Sequence, residues 1–450
     1  MKFTDKHKIL FYCFILLILA GCNSLPRTHF PPQMLRLTNL ANYKIAYCWQ
    51  LPEGRKSITL PGDQEVAVVV SRADGEKKTV IRDQKNLPPN IPSDFYIYKS
   101  GCIDEGSAIR YAGNDISWRP GADEITFIEG SDAFLTDINS KKLTPNFVLQ
   151  EGDLSILKHK YLNYFGVPRG LYWSSDGMKL ATLGQDASIF NSVGDNIWVY
   201  NFQTDSYSRI TNITDAGDFI ANASWSKDGK MLAIEYQKNS GIRIVEFGKT
   251  TNDFSCVDVT SATNPELSDT WPFTYRSIAQ LFLQKNDVAF NRYVSKASLP
   301  VWLDKQNKII FAASSKSKEG RLYIVNTDGS NLLPLFPDIK GLLFMPALSP
   351  DEENLAFVRY SSWKDRTRAE IIMANLETKK YISLVVLSAP GNGEELLISG
   401  MSWSPDGKYI VFSSNQKGES DIYIITSDGQ SWLNLTEDTL GNAVSPVWQP

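Results

Sequence analysis

Nucleophilic, metal or acid–base chemistry needs histidines, activated thiols or paired carboxylates, and this chain of 450 residues offers few arrangements of that kind. His7, His29 and His159 are its three histidines. The first lies in an apolar leader and the second in a proline-containing stretch. Only His159, between Lys158 and Lys160, belongs to the body of the chain, where it reads as a solvated surface residue. A multi-histidine metal site cannot be assembled from it. The chain also lacks a Gly-x-Ser-x-Gly elbow, a P-loop, a dinucleotide-binding glycine fingerprint and a Cys-x-x-Cys pair. Carboxylates are plentiful, but Asp176, Asp228, Asp351 and Asp406 share one turn position, where Asp accepts hydrogen bonds from nearby backbone amides. That use is structural, so no catalytic residue, metal or cofactor is expected.

The turns around these acids belong to a repeat. Trp173-Ser174-Ser175-Asp176-Gly177 is echoed by Trp225-Ser226-Lys227-Asp228-Gly229 and by Trp403-Ser404-Pro405-Asp406-Gly407. Trp118, Trp302, Leu348 and a final Trp448 are further anchors. Seven and nine places after the anchor stand Ile125 and Phe127, Leu180, Leu232 and Ile234, Ile309 and Phe311, Leu355 and Phe357, and Ile410 and Phe412. Thr182 is the one break in that series. Residues two apart share a face of an extended strand, and the Pro/Asp/Gly cluster reverses the chain, so each unit opens with a hairpin. A third strand follows, as in Asp421 to Ile425 or Leu322 to Val325, and then a fourth, as in Trp432 to Thr436 or Leu332 to Phe336. Four antiparallel strands per repeat match a β-propeller blade, which cannot bury both of its faces alone.

Residues 401 to 437, with their Trp-Ser-Pro-Asp-Gly turn, Ile-x-Phe strand, Ile-Tyr strand before Asp-Gly and Leu-Thr strand, resemble the TolB-like, WD-like propeller repeat. Looser copies extend the resemblance from about residue 115 to 450. It implies an all-β fold: a single propeller of four-stranded antiparallel blades over residues 35–450, closed by pairing of N- and C-terminal strands. Pro446-Val447-Trp448 reads as the first strand of a blade whose other strands come from residues 58 to 113, among them Val66 to Val70, Thr79 to Ile81 and Phe95 to Tyr98. Seven blades result, with six or eight as alternatives. Leu35-Arg36-Leu37-Thr38 also resembles a fourth strand.

At the start of the chain, Lys2, Lys6 and Lys8 precede an apolar run from Ile9 to Ala20, too short to span a bilayer comfortably and typical of a signal peptide. Leu19-Ala20-Gly21-Cys22 resembles the bacterial lipobox, which implies removal of residues 1–21 and acylation of Cys22. Residues 22–34, with Pro26, Pro31 and Pro32, read as a tether. The resemblance places the protein in the cell envelope, anchored to the membrane by lipid. Asn23 after the cysteine implies the outer membrane and periplasm in a Gram-negative cell, or the outer face of the cell membrane where there is a single membrane.

Anchors recur every 45 to 55 residues, except between Trp225 and Trp302, which lie 77 apart. The insertion carries Trp271, Phe273 and Tyr275, an aromatic set suited to a protein or sugar partner. A net charge of −4 argues against nucleic acid. Of the five cysteines, Cys48, Cys102 and Cys256 stay in the mature body, and Cys48 with Cys102 is the candidate disulfide. The function expected is a non-catalytic interaction scaffold with an envelope protein as partner; the alternative is a carbohydrate-binding or carbohydrate-active propeller.

Overall fold

The computed structural model describes residues 33–34, 40–50, 66–75, 78–83, 116–129, 132–139, 143–149, 169–185, 195–211, 220–236, 241–247, 254–258, 296–314, 320–362, 365–391, 394–439 and 441–450. The first strands are β1 (Gln33–Met34), β2 (Lys44–Gln50), β3 (Val66–Arg72) and β4 (Lys78–Asp83). Next come β5 (Ile116–Trp118), β6 (Glu124–Glu129), β7 (Asp132–Asp137) and β8 (Leu143–Leu149). The following repeat holds β9 (Arg169–Trp173), β10 (Lys179–Gln185), β11 (Asp195–Asn201) and β12 (Ser206–Arg209). After it run β13 (Ile220–Trp225), β14 (Met231–Tyr236), β15 (Gly241–Phe247) and β16 (Phe254–Asp258). β17 (Lys296–Leu303) passes through a 3-10 turn, Asp304–Gln306, into β18 (Lys308–Ser314), β19 (Gly320–Asn326) and β20 (Leu333–Pro334). Then follow β21 (Leu342–Leu348), β22 (Asn354–Tyr360), β23 (Arg368–Asn375) and β24 (Tyr381–Ser388). The chain finishes with β25 (Ile398–Trp403), β26 (Tyr409–Ser414), β27 (Asp421–Thr426), β28 (Ser431–Asn434) and β29 (Asn442–Trp448).

Among the described residues these strands form seven sheets. Five are four-stranded antiparallel meanders: β5 to β8, β9 to β12, β13 to β16, β17 to β20 and β21 to β24. The sheet β25 to β28 gains β1 on its outer edge, and there the pairing is parallel. In the seventh sheet β29 lies beside β2, followed by β3 and β4, with Ile45 facing Trp448 and Gln50 facing Asn442. The first strands of successive sheets, β5, β9, β13, β17, β21, β25 and β29, touch in that order, and β29 touches β5.

The alternation of side chains explains this packing. Ile410 and Phe412 bury themselves against the β21 to β24 sheet, whereas Val411 points the other way, into the β2 to β4 sheet. Anchor, seventh and ninth positions therefore share the face turned to the preceding sheet. Among the described residues the buried apolar side chains fall into seven clusters, each between two consecutive sheets. Burial of one such Leu, Ile or Phe contributes roughly 1.5–3 kcal/mol. Thr182, the break in the apolar series, is also fully buried.

A second periodicity is written in the backbone alone. Gly170, Leu299, Met345, Gly400 and Ser445 have φ between 52 and 63°, and each stands three residues before its anchor. Register shifts interrupt the pairing of the first strand near these residues. The left-handed conformation costs non-glycine residues roughly 1–2 kcal/mol, so Leu299, Met345 and Ser445 hold it against their own preference. At Gly400 the reason for glycine is visible: a Cβ there would lie 2.9 Å from Ser445 Cα and 2.8 Å from Pro446 Cδ.

Two expectations need correction. Gln33 and Met34, assigned to the tether, are hydrogen-bonded to β28, because an unpaired sheet edge accepts a short strand from any nearby segment. The partner of β29 comes from residues 44–50, upstream of the segment 58 to 113. Its sequence Lys-Ile-Ala-Tyr-Cys-Trp-Gln has both faces apolar, as a strand buried on both sides requires. The expected strands at Val66 to Val70 and Thr79 to Ile81 fall within β3 and β4. Leu35 to Thr38 and Phe95 to Tyr98 lie outside the described residues.

Candidate functional site

The turn after each of β9, β13, β21 and β25 is a compact hydrogen-bonded unit. Ser404 Oγ donates to Asp406 Oδ1 at 2.7 Å and accepts from the Tyr409 amide at 2.9 Å, while the Lys408 amide donates to Asp406 Oδ1 at 3.1 Å. Ser226 and Asp228 repeat the pattern with the Met231 and Lys230 amides. Ser174 with Asp176, and Ser349 with Asp351, do the same. Desolvation pushes these carboxyls up, but the serine and amide donors outweigh it and hold all four below the usual carboxylate value. Asp406, which Tyr43 also bonds, is held at about 2. These acids are engaged as turn acceptors.

Five anchor indoles latch their sheet to the one before it. Trp225 Nε1 donates to Tyr172 O at 2.8 Å, Trp403 Nε1 to Ala347 O at 2.9 Å, Trp448 Nε1 to Ser402 O at 3.1 Å and Trp118 Nε1 to Val447 O at 3.3 Å. Trp173 reaches its neighbour through a relay: its Nε1 donates to Thr126 Oγ1 at 2.9 Å, and that hydroxyl donates to Ser117 O at 2.9 Å.

A cavity of about 470 Å³ opens where the first strands end, lined by Tyr172, Trp173, Trp225, Trp302, Met401 and the turn residues Ser175, Lys227, Asp304, Pro350 and Glu352. Its aromatic walls are not free stacking faces, since Trp173, Trp225 and Trp302 are at most 9% exposed. Two carboxylates stand at the mouth. Asp304 Oδ1 accepts the Lys227 amide at 2.7 Å, and Glu352 Oε2 accepts the Lys305 amide at 2.8 Å, so each ties two neighbouring sheets together. Burial raises the Asp304 carboxyl, opposed by the Lys227 amide and reinforced by the negative charges of Glu352 and Asp228. Glu352 sits at φ 58°, where Gly177, Gly229 and Gly407 stand in the corresponding turns. An acid thus occupies a position that backbone geometry reserves for glycine.

Reading the sequence did not single out Asp304 or Glu352. The signal was present as departures from the repeat: Asp304 replaces the Ser, Lys or Pro that follows Trp-Ser elsewhere, and Glu352 replaces the turn glycine. Cys48 is fully buried on β2, against the β5 to β8 sheet, and is disulfide-bonded. Cys22, Cys102, Trp271, Phe273 and Tyr275 lie outside the described residues. Among the described residues no group of three or more His, Cys, Asp or Glu could hold a metal ion, and no helix is long and apolar enough to cross a membrane.

Residues 305–450 match the family described as TolB beta propeller domain. A protein TolB homolog of Chlorobaculum tepidum is 29% identical over 130 residues, covering 29% of this chain and 27% of the relative. A probable dipeptidyl-peptidase 5 of Aspergillus clavatus is 30% identical over 140 residues, covering 28% of this chain and 18% of the relative. The chain therefore spans about a quarter or less of these relatives' lengths. Among solved structures, TolB from Acinetobacter baumannii aligns with a TM-score of 0.43 at 11% identity, covering 91% of this chain and 67% of that one. The GH74 xyloglucanase of Xanthomonas campestris aligns with a TM-score of 0.46 at 9% identity, covering 71% and 44%.

Proposed function

We propose that this TolB-like β-propeller is a non-catalytic interaction scaffold of the cell envelope, tethered to a membrane through an acylated Cys22. The seven sheets are then seven blades of one ring. The β29–β2 pairing and the indole latches on both sides of that sheet, Trp448 to Ser402 and Trp118 to Val447, support this closure.

One observation carries the scaffold reading. At and beside the cavity mouth the polar groups are already committed within the fold: the turn acids to serines and amides of their own turns, Asp304 and Glu352 to the amides of Lys227 and Lys305 in the adjoining sheets. What such a mouth presents to a partner is shape and a rigid polar rim, which suits recognition more than bond-making.

The carbohydrate reading draws on the same cavity, where aromatics and two acids converge. Sugar stacking needs an open ring face, however, and the indoles there are wedged between blades. That burial favours the protein partner. Chemical crosslinking of the tethered protein in cells, followed by mass spectrometry, tests the choice: peptides of an envelope protein linked to turn residues are expected, and recovery of glycans alone would reverse it. For the tether, Cys22→Ser should abolish labelling by a fatty-acid analogue in the native bacterium, and unchanged labelling would refute acylation.

A further inference from the structure

We infer that the face carrying the cavity mouth is the one turned toward the membrane. The inference rests on the tethering reading above and is carried by the place where the chain joins the propeller.

A continuous register row crosses the β25 to β28 sheet. Trp403 faces Ile410, Ile410 faces Ile425, Ile425 faces Trp432, and Trp432 faces Met34 of β1. Met34 thus stands level with the anchor tryptophan, at the end of the sheet where the Ser404 to Gly407 turn lies. Because β1 runs parallel to β28, and β28 starts from the turn at Ser427 to Gly429, the residues before Gln33 leave the sheet on that same side. The cavity is lined by Ser175, Lys227, Asp304, Pro350 and Glu352, all from turns that follow first strands. Tether root and cavity mouth therefore share one face of the propeller.

Chain length then limits the geometry. Between Cys22 and Gln33 the chain spans about 40 Å fully extended, and about 20 Å as a flexible coil. A six-residue strand at about 3.3 Å per residue sets the two faces of the ring about 20 Å apart, so turning the mouth away from the bilayer would take up the whole span of the coiled tether, or about half of its extended reach.

The test separates orientation from natural acylation. Protein beginning at residue 22 is coupled through its N-terminal cysteine to a diacyl thioester and bound to phosphatidylethanolamine/phosphatidylglycerol vesicles that carry a headgroup quencher. A fluorescent amino acid replaces either Gln306, exposed on the turn face, or Lys417, exposed between β26 and β27 on the opposite face. Several-fold stronger quenching at position 306 is expected. Equal quenching, or stronger quenching at 417, overturns the inference. Flotation of the protein purified from native membranes, without chemical lipid, tests the tethering reading independently.

Discussion

Tyr43 donates its phenol proton to Asp406 Oδ2 across 2.7 Å, joining residues 363 positions apart in the chain. Tyr43 directly precedes β2, and Asp406 lies in the turn after β25, so the bond spans two neighbouring sheets. The Tyr43 ring also meets Tyr409 and Trp448 edge-on, at centroid distances of 5.8 and 5.7 Å. The hydrogen bond to Asp406, with burial and the acid's charge, raises the phenol to about 12.

Stability should follow this bond through pH. Asp406 is held at about 2 in the fold, below the roughly 3.9 of an unfolded Asp, so its contribution is complete above about pH 4 and is lost as pH falls toward 2. The Tyr43 phenol is raised, so its contribution is complete below about pH 10 and disappears as pH climbs through 12. Tyr43→Phe should cost at most about 1 kcal/mol at pH 7, because the pair is exposed, and its deficit against the native chain should shrink between pH 4 and 2. Urea unfolding at several pH values measures this. A deficit constant across pH would show that the bond does not matter.

Gly400→Ala should be costly, roughly 2–4 kcal/mol, since the new methyl meets backbone at Ser445 as well as a left-handed φ. Gly407→Ala meets only Pro350 Cδ at 3.8 Å, so it should cost about 1 kcal/mol from backbone conformation alone. Comparing the two by thermal unfolding isolates the contact between β25 and β29. Similar losses would mean that β29 yields freely.

Trp448→Phe leaves the Ser402 carbonyl without its indole donor while keeping a ring against Tyr43, and should cost about 1–3 kcal/mol. Trp118→Phe should cost a similar amount through Val447 O, and the double variant less than the sum, because both act on β29. Strict additivity in a double-mutant cycle would deny that coupling.

Glu352→Ala removes the acceptor of the Lys305 amide yet keeps a strained backbone, so a loss of about 1 kcal/mol is expected. Glu352→Gly removes the same acceptor and relieves the strain, which should return stability to near the native value. Chemical denaturation of both variants checks the ordering. If glycine proves no better than alanine, φ at this turn carries no strain.

For the disulfide of Cys48, we propose Cys102 as the other half. Non-reducing peptide mapping should yield a peptide pair containing both, and a Cys48–Cys256 pair would refute the assignment.

Much of this architecture is legible in the letters because radial packing repeats one chemical requirement. Trp403, Ile410 and Phe412 must all be large and apolar, since the face they share is sealed by the preceding sheet, and the same positions recur around Trp118, Trp225 and Trp302. The turn acids were legible for a similar reason: Ser-x-Asp bonds its own backbone and needs no distant partner.

Features set by contacts between distant segments were not legible. The left-handed residue three places before five of the anchors is held by strand pairing, so Gly, Leu, Met and Ser all occupy it and leave no common letter. The role of Asp304 depends on the Lys227 amide, 77 residues earlier. β1 is two residues long and owes its structure to the edge of β28.

The pairing of β29 with β2 bears on how the protein is made. β2 is separated along the chain from the strand that covers its inner edge by about 390 residues. Until that strand has been made, Ile45, Tyr47 and Cys48 wait without their lid. Loss of residues 442–448 would uncover that edge of β2 and leave the Ser402 carbonyl and the Trp118 indole without the partners they have here.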